Sequence, residues 1–497
     1  MHNATIKTFI LGGLAAALVA VTPIVPAAAA PAEDDSLSSI IHTVKSGDTL
    51  MRIASSHRRE AGWYGTPDCL TAIRATNGLE GRDLLNIGQT IIIPRHVEHE
   101  RVMAAQPTTD GANLRGLYLP GPVCGYQSVF GKVDRFTAAG GNGVVFDAKD
   151  IDGAVSFRST QDLAVYGKGR PAPWIPDLNQ LVNRLQTRDL WVVARLALFL
   201  DGELGKQRPD LALQDGEGEV WAERAGIWMD PAAAEVRDYN LALAVELANA
   251  GVDEIQVDYV RFPTNGWTGD WQGDLESTAT RRREIVTSFV ATLHDTLQAL
   301  DCKLSADLFG IMAWGRTADL ALTGQHVPSL APHLDIICPM IYPSHFGPGF
   351  EGLDNPGDHP EYVIAEGVRR FQKQAGPELL IRPWLQAFPW RVSNYDADYV
   401  AAQVNACDTS GASGWCLWNP AGRYEVAQAG IGRTPALPVI VMNQPALPEV
   451  EVVTVAPIST PVSAPVPVSQ PMLILADVSS DNRHPLPLLP PPPVPTP

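Results

Sequence analysis

Asp258, Tyr259 and Arg261 close the stretch "GVDEIQVDYVRFP" (251–263), whose Ile255 and Val257 read as a buried strand. A carboxylate, a phenol and a guanidinium at the end of such a segment need partners or a task, because ionised groups are rarely left in an apolar interior. Asp307, in "KLSADLFGIM" (303–312), repeats the pattern one strand later. Two carboxyls from neighbouring strands are what cleavage of a glycosidic bond requires. One protonates the leaving oxygen, and the other attacks or activates water across an oxocarbenium-like transition state. Around them stand residues suited to a sugar: aromatic planes for its C–H faces and polar side chains for its hydroxyls. They are Asp147 and Lys149, Arg195, Arg261, Tyr342 and His345, Trp384 and Gln386, and Trp418 and Asn419; Arg195 precedes the apolar residues of its run, and the others lie toward the ends of theirs. Tyr259 alternates to the face opposite Asp258, so it is expected to pack outward. Asp230, in "GIWMDP", reads as a helix cap before Pro231.

The elements that must hold these residues are eight strand-like runs, each followed by a helical pattern. They begin "LRGLYLPG" (114–121), "GNGVVFDAKD" (141–150), "WVVARLALF" (191–199) and "DEIQVDYVRF" (253–262). "KLSADLFGIM", "HLDIICPMIY" (333–342), "LLIRPWLQAF" (379–388) and "GASGWCLWN" (411–419) follow. Strict strand–helix alternation with doubly buried strands implies a parallel sheet, and eight units imply a closed (β/α)8 TIM barrel over 114–432. An open Rossmann-type sheet is the alternative, but no GxGxxG follows any strand. Polar residues gather at the C-terminal strand ends, where the loops of such a barrel converge on its active site.

The rest of the 497-residue chain divides by composition. Residues 1–30 carry Lys7, an apolar run from Phe9 to Val21 and the small-residue stretch "PIVPAAAAPA", a secretory signal peptide with cleavage expected around Ala28 to Ala30. No transmembrane helix is expected after its removal. Residues 40–95 form a compact β-α-α-β unit, with Asp48 or Thr49 capping its first helix and a second helix expected around Leu70 to Asn77. A polar linker spans 96–113. The tail, 433–497, holds more than a third of the chain's 42 prolines and is expected to be extended or disordered. Six cysteines show no zinc spacing; Cys338 and Cys416, within apolar strand-like runs, read as small buried residues, with one or two disulfides left open. With 37 basic and 55 acidic residues, net charge −18, nucleic acid and anionic membranes are poor partners.

Two resemblances rest on these motifs. "VKSGDTL", "ATNGL" and "IGQTIIIP" closely resemble a LysM module, with "HRREAGWYGTPDC" longer than usual between its helices. The resemblance implies binding of N-acetylglucosamine-containing glycans such as peptidoglycan or chitin, on loops formed by Gly47, Asp48, Thr49, Leu50, Asn77, Gly78 and Leu79. "VVFDAKD", "WMDP", "IQVDYVRFP", "SADLFG", "CPMIYPSHF", "RPWLQAF" and "GWCLWNP" resemble, in order, a glycoside hydrolase family distantly related to α-amylase-type barrels. It implies Asp258 as nucleophile and Asp307 as acid/base. This chain has Gln256 where that clan has an arginine, Asp307 in place of a glutamate, and only Gln386 near its third carboxylate. An adjacent guanidinium, Arg261 or Arg195, would keep Asp258 ionised, while Ala306 and Leu308-Phe309 would help Asp307 hold its proton.

The expectation is a secreted or envelope-associated monomeric glycoside hydrolase of a cell-envelope or matrix polysaccharide, without metal or cofactor. The alternative is a non-catalytic glycan-binding scaffold. A metal-dependent deacetylase of amino sugars finds only the scattered His326, His333 and His345.

Overall fold

The computed structural model describes residues 39–79, 84–96, 111–223, 226–267, 269 and 274–433. The expected signal peptide, most of the linker and all but the first residue of the tail lie outside them.

At the N-terminal end, β1 (Ile40–Thr43) pairs antiparallel with β2 (Thr90–Ile93), and helices Leu50–His57 and Thr66–Asn77 pack across them. Thr49 Oγ1 accepts from the Arg52 amide at 3.2 Å, capping the first helix. The second helix starts four residues ahead of the expected Leu70, because Pro67 in its first turn suits helical backbone and has no N–H to leave unpaired. Gly78 closes it with φ of 64°, a left-handed conformation that favours glycine. Leu50, Ile53, Cys69, Ile73, Ile91 and Ile93 make a small core of their own.

The unusually long segment between these helices is what docks the module. Arg59 pairs with Asp177 at 2.5 Å, and Arg58 donates to the Pro176 carbonyl at 3.3 Å. Tyr64 is fully buried, packs edge-on to Phe130 and donates to the Cys124 carbonyl at 2.7 Å. Arg184 donates to the Gly62 carbonyl at 2.9 Å, and Asp68 accepts from the Gln127 amide at 2.9 Å.

The large domain is a closed parallel barrel. Its strands are β3 (Leu114–Leu119), β4 (Gly143–Lys149), β5 (Trp191–Ala197), β8 (Glu254–Asp258), β9 (Lys303–Phe309), β10 (Ile336–Met340), the divided pair β11 (Leu380–Ile381) and β12 (Trp384–Gln386), and β13 (Gly414–Trp418). A two-residue hairpin, β6 (Ala222–Glu223) with β7 (Gly226–Ile227), is inserted after β5. Neighbours pair in parallel from β3 through to β11, and β12 pairs with β13, which pairs with β3. The seventh strand, expected to be continuous, is split at Arg382-Pro383 because proline cannot donate to the ladder. Arg382 N still bonds Ile337 O (2.8 Å) and Pro383 O accepts from Cys416 N (3.0 Å), so the seam closes.

Helices cover the barrel with apolar faces, as in Leu178–Gln186. Asp177 caps that helix onto the Gln180 amide (3.1 Å), and Leu181, Val182 and Leu185 are buried. At the N-terminal end of the barrel interior, Glu254 and Arg382, both fully buried, pair at 2.9 Å. Ser305 and Trp191 also donate to Glu254. Inward-facing positions along β8 are therefore Glu254, Gln256 and Asp258. The last of these reaches the open end.

Candidate functional site

A cavity of about 280 Å³ lies at the C-terminal strand ends, lined on one side by Arg195, Asp258, Asp307 and Trp384. Arg195, projecting inward from β5, is the hub. It meets Asp147 through Nη1 at 2.6 Å and Asp258 through Nη2 at 2.6 Å and Nε at 3.1 Å. The same Nε stands 3.7 Å from Asp307 Oδ2. The distances from Nε laid end to end, 3.1 Å and 3.7 Å, cap the separation of the Asp258 and Asp307 Oδ2 atoms at about 6.8 Å. Asp258 also accepts from the Tyr259 amide at 2.6 Å, and Asp307 from the Trp384 indole at 2.6 Å. Behind the cavity wall, Tyr118 donates to the second oxygen of Asp147.

These contacts set the charges. Burial pushes the Asp307 carboxyl well above the usual range, and the Asp258 charge beside it adds to the effect. Burial also raises Asp147, which Arg195 draws back only to about 7. Burial opposes the Arg195 charge, but Asp147 and Asp258 outweigh it, so this guanidinium stays ionised. His345 is pushed down to about 4, first by burial and then by Arg391, so it is neutral at ordinary pH.

Of the expected site residues, Asp258, Asp307, Arg195, Arg261, Tyr342, His345, Trp384 and Trp418 share the cavity wall. Tyr342 and Trp418 pack with ring centroids 5.3 Å apart and planes tilted by 37°, with Phe388 edge-on to Trp418 at 5.1 Å. Asp147 acts from behind, through Arg195. Arg261 is not the partner of Asp258. Its guanidinium lies instead over Phe309, Trp228 and Tyr259.

Three expected contacts fail. Lys149 is turned outward, because the register with β5 slips between Asp147 and Lys149 and the bulge reverses the alternation. It is fully buried against Asp201 (2.7 Å) and Asn240 (2.8 Å). The Gln386 amide is consumed by loops, accepting from Ser344 N and donating to Phe388 O and Trp390 O. Asn419 likewise accepts from the Ala421 and Arg423 amides and donates to the Ala387 carbonyl.

Conversely, Tyr259 lines the cavity. β8 ends at Asp258, and a φ of 53° at Tyr259 breaks the alternation that pointed it outward. Tyr118 was also missed. It sits near the end of "LRGLYLPG", a position readable by the strand-end rule used for the others. Asp230 forms a turn onto the Ala232 amide (2.8 Å), four residues before the helix Ala234–Asn249. His326 contacts Ser329 and His333 lies beside His294, both apart from His345.

In the small domain, Gly47 and Gly78 hold positive φ, and Asp48 pairs with His42 at 2.8 Å, which with the Lys45 amide lowers its pKa. Two expected glycan contacts are occupied otherwise. The Leu50 side chain is buried in the core. Asn77 spends its amide on Ile73 O, Ile92 O and Ile92 N, tying the helix to β2.

Residues 116–424 match the family described as "Putative glycosyl hydrolase domain", and residues 42–94 match the LysM domain. No curated protein matches. Among solved structures, a hypothetical protein from Ruminiclostridium thermocellum is 27% identical over 38% of this chain and 96% of its own, with a TM-score of 0.33. The PgaB (BpsB) glycoside hydrolase domain of Bordetella bronchiseptica is 17% identical over 62% and 94%, with a TM-score of 0.48. The spore cortex-lytic enzyme SleL of Bacillus cereus is 13% identical over 80% and 86%, with a TM-score of 0.39.

Proposed function

Because the chain belongs to the glycosyl hydrolase family matched over residues 116–424, we propose that it cleaves a cell-envelope or matrix polysaccharide with Asp258 as nucleophile and Asp307 as acid/base. The observation that carries this reading is that one guanidinium, Arg195, faces both carboxyls at the floor of an aromatic-lined cavity. Asp258 would attack the anomeric carbon while the protonated Asp307 gives its proton to the departing oxygen, breaking the glycosidic bond and forming a glycosyl ester. Asp307, now ionised, would take a proton from water, whose oxygen displaces Asp258 and restores both groups. Separations of about 5–5.5 Å suit this double displacement, and about 6.5–9.5 Å suit direct attack by water. A cap of about 6.8 Å favours the first. Trp384 orients Asp307, and Tyr342 and Trp418 offer faces to sugar rings.

The LysM domain supports attachment to an N-acetylglucosamine-containing glycan. With the apolar N-terminal run, it supports an extracytoplasmic location. In such a location a weak binding module raises the local concentration of substrate at the barrel.

The test is mass spectrometry of products released by the purified chain from peptidoglycan, chitin and exopolysaccharides, beside Asp258→Asn and Asp307→Asn. Oligosaccharides lost in both variants are expected. Release by either variant at the wild-type rate would move the reacting pair elsewhere, and binding without release from any glycan would favour a scaffold.

A further inference from the structure

Arg261 is the basic group of the cavity that this mechanism leaves unused; Asp319 is an acidic one. Its side chain is 7% exposed, and it lies 4.2 Å over Phe309, 4.7 Å over Trp228 and 5.2 Å over Tyr259. Its hydrogen bond within the protein runs from Nη1 to the Phe262 carbonyl at 2.9 Å. Among the described residues it has no ion pair, whereas Arg195 is shared by Asp147 and Asp258. A buried guanidinium with no counter-charge in contact is costly; Asp258 and Glu223 act on Arg261 only from beyond ion-pair distance, and aromatic faces offset only part of that cost. Burial accordingly lowers its pKa. The planar fork of arginine matches a carboxylate through two parallel N–H donors, and stacking on rings fixes the plane of the fork before the ligand arrives. Thr264 and Tyr259, from the same loop, line the same wall and add hydroxyls.

We infer that Arg261 receives a carboxylate borne by the sugar bound beside Asp258, so that the substrate is an acidic glycan: a uronic-acid polymer, or one whose amino sugar carries a lactyl carboxylate. This rests on the hydrolase reading and narrows it. Of the two glycans that a LysM module implies, chitin has no carboxylate, whereas peptidoglycan freed of its stem peptides has one on alternate sugars. The chain's net charge of −18 does not attract such a polymer from a distance, so recognition falls to this local contact.

Binding is measured by calorimetry on full-length Asp307→Asn, and hydrolysis on the wild-type chain. The ligands are oligosaccharides of equal length: oligogalacturonate, peptide-free peptidoglycan and chito-oligosaccharide. The two acids are also tested after reduction of their carboxyls to alcohols. For one of them, reduction is expected to weaken binding about 10- to 100-fold, the range of a charge-assisted hydrogen bond. Which acid responds identifies the source of the carboxylate. Arg261→Gln erases the difference between acid and alcohol, and Arg261→Lys restores part of it. The ligand-reduction arm needs no arginine variant, so misfolding of Arg261→Gln cannot mask the result. Equal binding of acid and alcohol, or chito-oligosaccharide binding as tightly as either acid, would overturn the assignment. Carboxylate-dependent binding with no cleavage by wild type leaves Arg261's role standing and removes the hydrolase reading. Cleavage indifferent to the carboxyl does the reverse.

Discussion

Arg195 holds Asp258 by two nitrogens on one oxygen, Nε at 3.1 Å and Nη2 at 2.6 Å from Oδ2. The remaining arm, Nη1, reaches Asp147 at 2.6 Å. Arg195→Gln therefore strands two buried carboxyls at once. Breaking one partner out of a buried pair costs about 3–5 kcal/mol, and urea unfolding of this variant is expected to show a loss in that range. Arg195→Lys should recover part of it. A loss below about 1 kcal/mol would mean that water already compensates both aspartates.

Asp147 fixes the sign of one pH dependence. Its carboxyl lies at about 7 in the folded chain against an ordinary 3.8, so the native state binds this proton more tightly than the unfolded state. Stability contributed by Asp147 is therefore lost as pH rises from about 4 to about 7, and changes no further above that. Asp307, raised in the same direction, adds to the same slope. Urea titrations of wild type and Asp147→Asn between pH 4 and pH 8 check it. The wild type should lose stability relative to the variant across that window, and a parallel pair of curves would contradict it.

Trp384 donates to Asp307 Oδ1 at 2.6 Å, a bond that favours the ionised carboxyl. Trp384→Phe removes the donor while keeping an aromatic face. With Asp307 as the acid, its proton should then be held to higher pH, and the alkaline limb of kcat should move upward. An unmoved limb would assign that limb to another group.

Asp307→Asn removes the proposed acid but leaves the shape of the cavity floor. Proton donation of this kind contributes about 10²- to 10⁴-fold, so kcat should fall within that range on natural glycans. A substrate whose leaving group needs no protonation, such as an aryl glycoside of low pKa, should be affected much less in its first step. Equal losses on both substrates would argue that Asp307 acts only on the architecture.

Tyr64 joins the small domain to the barrel, fully buried and bonded to Cys124 O at 2.7 Å. Truncating a buried aromatic to alanine costs about 3–5 kcal/mol. Calorimetry of Tyr64→Ala is expected to resolve two unfolding transitions where wild type shows one. A single unshifted transition would indicate that the interface contributes little.

Much of this was legible in the chain because each strand repeats one instruction: apolar residues inside, polar residues where the strand meets its loop. That rule located Asp258, Asp307, Arg195, Tyr342 and Trp418. It failed where backbone geometry departs from regular alternation. The bulge beside Asp147 turned Lys149 outward, and the positive φ of Tyr259 turned that ring inward. It failed again over partners. Sequence alone leaves Arg261, adjacent to Asp258, and Arg195 both open; the guanidinium that binds Asp258 is Arg195 of the neighbouring strand, which pairs with Gln256, two positions before Asp258. Gln386 and Asn419 have a binder's chemistry, but nearby loop amides and carbonyls claim them first. Sequence spacing does not record such competition, nor the split that Pro383 forces in the seventh strand.

The docking segment between the two LysM helices has a mechanical consequence. It joins the barrel at the C-terminal end of the first helix and the N-terminal end of the second, while the loops at Gly47 and Gly78 lie at the opposite ends of those helices. It also rests on loops leaving β3 and β4, on the side of the barrel where the cavity opens. The two sites are thus set like the jaws of a caliper: on the proposed function, a polymer held by the loops at Gly47 and Gly78 would be presented to the cavity at a fixed radius, and fragment length would follow from the protein's own dimensions.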